Sequence, residues 1–305
     1  LKKFLPVVLV PIVIAMLPVP TGLAPVAWYL FAIYVGAILG LILQPFPEPV
    51  IMLISVGVSS ILLKNTKAVL SGYSDMTTWL VFSAVLISIA FIATGLGKRL
   101  AYHLIRLLGH TSLGLGYAGS FLDYILSPGI PSNTARTAGI TFPVLRSVAV
   151  ALESEPGPSA RRIGSYLSFL AYATTSTTSY AFLTAFAPNL LLVKLASEIL
   201  GTTVDWMTWC IAALVPTLIM LLLTPWLLYK VYPPEIKTLD NKKVAKEGLD
   251  QMGPMKTSEK MLIGFFMIAI LGWMFGGNLK IDATAIGIGT IGLCLLFRVI
   301  RWSDI

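Results

Sequence analysis

Apolar stretches separated by short polar or proline-rich links set the pattern of this chain. They fall at 4–17, 26–43, 50–63, 76–96, 111–126, 132–150, 163–200, 209–229, 261–275 and 283–300. Many approach the roughly 17–25 residues that cross a bilayer as a helix. None alternates with the period of two that marks a transmembrane barrel strand. The pattern therefore predicts an all-α polytopic membrane protein. The stretch at 163–200 would run roughly 57 Å as one helix, too long for a bilayer, so it must bend or break. The expected break lies at 174–189, where six consecutive hydroxyl residues are followed by Pro188. Hydroxyl groups weaken a helix there and supply polar atoms for its freed backbone. Residues 98–108 oppose Lys98, Arg99, His103 and Arg106 to Leu100, Leu104 and Leu107. They read as an interfacial helix, the alternative being an ordinary charged helix end.

The most informative link is Ser-Pro-Gly-Ile-Pro-Ser-Asn-Thr-Ala-Arg-Thr, from Ser127 to Thr137. Pro128, Gly129 and Pro131 break the helix and turn the chain between two arms too short to make a comfortable pair of crossings. The arms at 111–150 read as a re-entrant helical hairpin; two short crossing helices are the alternative. Ser132 is a preferred N-cap, and the amides after it lack intrahelical partners. A helix start at membrane depth is tolerated where protein shields it or where it lines a wet cavity. Its partial positive charge and free donors suit a carboxylate. Arg136 adds a full charge one turn later.

Composition agrees. Of 305 residues, 56% are hydrophobic and 12% charged, and mean hydropathy is +0.85. The net charge of +8 reads as cytoplasmic loops rather than a nucleic-acid surface. With the N-terminus inside and the hairpin returning to the side it left, seventeen of the 22 Lys and Arg, Lys2 included, fall inside and four outside, as the positive-inside rule requires. The count leaves hairpin and double crossing undecided. Cys210 and Cys294 sit in apolar surroundings and read as packing residues, not a disulfide or metal site.

Asp123 and Arg136 are the charges inside the hairpin arms, each 6–7 residues from the turn. An intramembrane charge is paired, functional, or both. Three readings stay open: a structural Asp123–Arg136 ion pair, Arg136 as a charge for substrate or coupling, and Asp123 as a proton or cation site. Ser132, Asn133 and Thr134 are either a bare N-cap or ligand donors. Gly114-Leu-Gly-Tyr-Ala-Gly119 matches a dinucleotide fingerprint, but no strand-like run precedes it, so close helix packing explains it better. There is no metal-ligand spacing, no cofactor signature, and no nucleophile–base set that would mark an enzyme.

Several stretches together carry a resemblance: Thr78-Trp-Leu-Val-Phe82, Gly95-Leu-Gly-Lys-Arg99, Pro131-Ser-Asn-Thr-Ala-Arg-Thr137, Pro158-Ser-Ala-Arg-Arg-Ile-Gly164 and Ala185-Phe-Ala-Pro-Asn189. The chain resembles the divalent anion/sodium symporter family of carboxylate transporters. It is most similar to the branch holding plastid 2-oxoglutarate/malate translocators and bacterial citrate/succinate or tartrate/succinate antiporters. The resemblance implies two inverted repeats, each with a Ser-Asn-Thr hairpin, an elevator motion, and a homodimer embedded in lipid. It implies a di- or tricarboxylate bound by Ser132, Asn133, Thr134, Arg136 and Thr137, with Thr184, Pro188 and Asn189 facing them from the broken helix. Only one Ser-Asn-Thr is present, so the expected extent is an N-terminal portion with one full repeat. The implied layout is scaffold helices at 1–97, the interfacial helix at 98–110, a transport region at 111–200, a crossing at 201–230, a cytoplasmic basic loop at 231–260 and the start of a second repeat at 261–305. Sodium-coupled relatives typically lack an Arg at the place of Arg136, so a fixed cation there favours sodium-independent exchange; sodium- or proton-coupled symport is the alternative. The expected location is a bacterial inner membrane, or else a plastid inner envelope.

Overall fold

A computed structural model describes residues 3–304, Asn278 by its backbone alone. Lys2, counted among the inside cations, lies outside the described residues. Helix makes up 78% of the chain and no strand occurs among the described residues. In chain order the helices are α1 (Phe4–Met16), α2 (Pro25–Leu43), α3 (Glu48–Leu63), the single turn α4 (Thr66–Val69), α5 (Met76–Thr94), α6 (Leu96–Leu108), α7 (Ser112–Leu126), α8 (Asn133–Arg136), α9 (Phe142–Ala151), α10 (Gly164–Thr178), α11 (Ala187–Leu200), α12 (Trp206–Val231), α13 (Asn241–Met252), α14 (Thr257–Leu279) and α15 (Ala283–Leu296). By length and composition, α2, α5, α12 and the Thr257–Gly277 part of α14 suffice to cross a membrane. Helices α1, α3 and α15 are shorter and equally apolar.

The chain divides into two compact units between Thr78 and Trp79. In the first, α1, α2 and α3 meet through small residues. Gly36 lies under Pro11, and Gly40 under Ile51. A methyl group at either glycine would clash, so the close approach depends on them. These three helices line an apolar cavity of about 410 Å³.

The second unit gathers α5 to α15 around one apolar core that includes Ile87, Phe91, Leu122, Ile140, Leu170 and Phe266. Helix α5, expected with the scaffold, packs here. Gly116 and Gly119 of the fingerprint-like stretch are packing glycines. The first lies against the Tyr166 hydroxyl and the second against Leu145. Gly95, at φ +80°, separates α5 from α6, which is strongly amphipathic as expected. Arg99, however, is covered although it shares the polar face with His103 and Arg106. It is buried at 7% exposure and ion-paired with Glu259. It also donates to the carbonyl of Gly253 at 3.1 Å.

The segment at 231–260, expected as a loop, contains the helix α13. That helix is tied to α6 by Asn241, which donates to the carbonyls of Ile105 and Arg106 at 3.1 and 2.8 Å. Just before it, residues 235–239 form a strap. Glu235 and Ile236 amides bond the carbonyls of Arg161 and Arg162, while the Leu239 amide bonds that of His110.

Candidate functional site

The break between the hairpin arms is built as its sequence demands. After α7, Ser127–Gly129 make one 3-10 turn, and Ile130 and Ser132 are extended. Ser132 then caps α8, its hydroxyl accepting from the Ala135 amide at 3.2 Å. The Arg136 amide bonds the Ser132 carbonyl at 3.0 Å. The amides of Asn133 and Thr134 are left without an intrahelical acceptor. A π-helical turn, Thr137–Thr141, joins α8 to α9. Such bulges recur at functional sites.

The second break falls inside the expected stretch at 174–189 and is narrower than it. Thr174 to Thr178 remain helical, and the chain opens only at 179–186 around a 3-10 turn, Leu183–Ala185. The hydroxyls return to their own helix: Thr177 bonds the Ala173 carbonyl and Ser179 that of Ser176. They leave the last turn helical instead of dissolving it. Pro188, early in α11, restarts the helix at a position where a missing N–H costs nothing.

The two breaks are bonded to each other. The Thr184 hydroxyl donates to the Pro128 carbonyl at 2.7 Å, and the Ala187 amide to the Pro131 carbonyl at 3.1 Å. Arg136 completes the junction. It is 0% exposed, and its Nε donates to Asp123 Oδ2 at 3.0 Å. Nη1 donates to the carbonyls of Ile130 and Ala185 at 2.7 and 3.0 Å. Nη2 donates to Asn133 Oδ1 and Thr178 Oγ1 at 3.1 and 3.0 Å. A guanidinium has five N–H donors, so every one is engaged. Asp123, 1% exposed, also receives the hydroxyls of Thr141 and Thr178. The pair is thus desolvated, neutral in sum and fully hydrogen-bonded, the condition under which a buried ion pair persists.

The expected site residues separate into two groups. Ser132, Asn133 and Thr137 are half-buried, while Thr134 and Pro188 are exposed. They form a polar edge where the hairpin tip meets the start of α11. Among the described residues, Thr137 Oγ1 is buried without a hydrogen-bond partner. Arg136, Thr184 and Asn189 are buried behind that edge. Asn189 donates to the carbonyls of Ser179 and Phe182 at 2.7 and 3.2 Å, closing the break on itself. A ligand reaching Arg136 would have to displace one of its five partners.

Sequence reasoning did not find Thr178, Thr141 or the carbonyls of Ile130 and Ala185. Thr178 stood in the hydroxyl run but was read as a helix breaker. The carbonyls carry no side-chain signal at all. No cluster of His, Cys, Asp and Glu able to hold a metal occurs among the described residues.

Interrupted helices whose broken ends meet at a polar point, in an all-helical apolar chain, fit the architecture of membrane transport proteins. Over residues 1–305 the chain matches the family described as the sodium:sulfate symporter transmembrane region, and it belongs to that family. It is therefore an integral membrane protein of a transport family, not an enzyme. The chain is 50% identical to inner membrane protein YbhI of Escherichia coli K12, across 100% of this chain and 65% of that protein. It is 43% identical to the putative malate transporter YflS of Bacillus subtilis 168, across 98% of this chain and 63% of YflS. It is 38% identical to the L-tartrate/succinate antiporter of Escherichia coli K12, across 96% of this chain and 64% of the antiporter. The chain thus spans 63 to 65% of the length of these relatives.

Proposed function

We propose that this chain is the substrate-holding part of a secondary carrier that exchanges dicarboxylates, of the malate, succinate and 2-oxoglutarate class, across a bacterial inner membrane without sodium. One observation carries the reading: Ser132, Asn133 and Thr134 lie at an interrupted helix start, bonded to a second interrupted helix. Partial positive charge and unpaired amides suit a carboxylate there. Relatives named for malate and for tartrate/succinate support that substrate class.

In this reading the substrate meets Ser132, Asn133, Thr134 and Thr137, with Pro188 opposite. Arg136, Thr184 and Asn189 hold those groups in place from behind. The arms form a re-entrant hairpin, α6 lies in the interface, and the connection at 231–260 faces the cytoplasm. An inverted second repeat beginning at 261–305, an elevator motion and a homodimer complete the proposed carrier.

The family's description as a sodium:sulfate symporter favours a second reading, cation-coupled symport. Sodium sites in such carriers draw on unwound backbone carbonyls. Here Arg136 already donates to Ile130 O, Ala185 O and Asn133 Oδ1. A fixed guanidinium thus occupies oxygens that a sodium ion would need.

Counterflow with the full-length protein in liposomes tests both readings. Internal malate is expected to drive uptake of labelled 2-oxoglutarate or succinate, unchanged when sodium is replaced by choline. Asn133→Ala is expected to lower exchange more than tenfold; it also takes one acceptor from Arg136 Nη2, so stability should fall by about 1 kcal/mol, too little to unfold the protein. Strict sodium dependence would overturn the exchange mechanism, and absence of counterflow with every dicarboxylate would overturn the carrier reading.

A further inference from the structure

Behind the polar edge, the hairpin tip is attached to a helix outside both breaks. Thr184 is 0% exposed, and Trp206, the first residue of α12, is 4% exposed. Trp206 Nε1 donates to Thr184 Oγ1 at 3.1 Å, and Thr184 Oγ1 in turn donates to the Pro128 carbonyl at 2.7 Å. An indole N–H can only donate. The direction of the relay is therefore fixed: Trp206 to Thr184 to the backbone of the tip. Thr184 has one proton, and Pro128 receives it.

The indole is itself held in a row of rings. It stacks on Phe182 at 5.6 Å between centroids and 20° between planes. It also lies nearly parallel to Trp273 of α14, at 6.5 Å and 24°. Phe182 continues the row to Tyr124 of α7 at 5.2 Å. The tip rests on α14 as well, because a Cβ at Gly129 would lie 2.4 Å from the Phe266 ring. The tip backbone is thus registered against α12 and α14 through one hydroxyl and one flat contact.

We infer that Trp206 is a positioning residue for substrate binding: through Thr184 it fixes the hairpin turn that presents Ser132, Asn133 and Thr134. The transport half of this inference rests on the carrier reading, but its structural half does not. Without the indole N–H, the Thr184 hydroxyl loses the donor that orients it, and its bond to the Pro128 carbonyl weakens. The tip then loosens while the ring row and the Arg136 junction stay intact. The looser tip must be ordered when substrate binds, so affinity falls.

The test uses the full-length protein in liposomes and two independent readouts. Trp206→Phe keeps a ring beside Phe182 and Trp273 and removes the donor. Thr184→Val removes the relay, and Thr184→Ser retains it. Amide hydrogen exchange across 128–136 is expected to accelerate about tenfold in Trp206→Phe and in Thr184→Val, the loss of about one buried hydrogen bond. The double variant should exchange no faster than Thr184→Val alone, and Thr184→Ser should stay at the wild-type rate. In counterflow, KM should rise about tenfold in the same variants with the maximal rate within about twofold. Wild-type exchange at the tip in Trp206→Phe, or additive effects of the two substitutions, would overturn the inference. If Trp206→Phe does not fold, Thr184→Val against Thr184→Ser decides it: equal tip exchange in the two would overturn the relay. A wild-type protein that transports no dicarboxylate would remove the carrier reading, and the exchange measurement would still decide this one.

Discussion

Two buried arginine–carboxylate pairs sit in the same unit and do different work. Arg99, on amphipathic α6, reaches Glu259 at the start of α14, 160 positions along the chain. It also donates to the backbone carbonyls of Gly253 and Pro254. Glu259 also accepts from the Lys256 amide at 3.3 Å, closing the first turn of α14. That pair staples two helices together and faces nothing else. Arg136 spends its donors within the hairpin and the broken helix, on oxygens whose neighbours form the exposed polar edge. The chemistry of the two pairs is the same; what lies next to each separates a staple from a site. Burial of a charge alone therefore does not mark function. Burial beside groups that are themselves half-open does.

The comparison breaks most sharply at Arg136. Replacing it with Met leaves Asp123 buried and unpaired, a loss of about 3–5 kcal/mol. Chemical or thermal unfolding in detergent should show it, together with abolished exchange. Adding Asp123→Leu removes the stranded charge, and stability is expected to return by at least half. Transport is expected to stay absent, because Ile130 O, Ala185 O and Asn133 Oδ1 remain without their shared donor. Arg136→Lys keeps the charge with three donors in place of five, so it too should not transport. Recovery of exchange in the Asp123→Leu, Arg136→Met double variant would reduce Arg136 to a second staple.

At the other pair, Arg99→Met alone is expected to cost about 3 kcal/mol by stranding Glu259. The double variant Arg99→Met, Glu259→Leu should recover most of that stability and, unlike its counterpart, exchange at the wild-type rate. Loss of exchange in a stable double variant would show that the α6–α14 junction takes part in transport, and the contrast between the pairs would disappear.

The difference between the pairs also marks how far the sequence could be read. Apolar run lengths located the membrane helices, because 1.5 Å per residue against a fixed bilayer thickness leaves little choice. Pro128, Gly129, Pro131 and Ser132 located the hairpin break, because proline and an N-cap act on the backbone locally. Arg136 and Asp123 stood out as charges in apolar arms, and the structure joins them. Thr174 to Thr178 misled, since hydroxyls that weaken an isolated helix can equally bond its own carbonyls when packed. Arg99 misled because helical periodicity reports the side of a helix and not what covers it. Glu259 covers it from a segment too distant in sequence for any local pattern to pair. Trp206 gave no signal, as an aromatic at the start of an apolar helix is ordinary.

The smallest expected effect separates the cap of α12 from the relay that begins one residue later. Asp205 accepts from the Thr208 amide at 2.7 Å. It is the exposed N-cap that precedes α12. The bonds from Thr208 hold its carboxyl below the ordinary aspartate range. A carboxyl so lowered contributes stability that is complete above its unfolded pKa of about 3.9. That contribution is lost as pH falls through the lower, folded value. Asp205→Ala should cost about 1 kcal/mol at neutral pH, and the difference from wild type should shrink in acid. Asp205→Asn keeps an equally good cap and should show no such acid dependence. Neither substitution removes the Trp206 donor, so amide exchange across 128–136 should stay at the wild-type rate in both. If the tip loosens when only the cap is lost, the start of α12 acts on the hairpin as a unit, and Trp206 is not the residue that registers it.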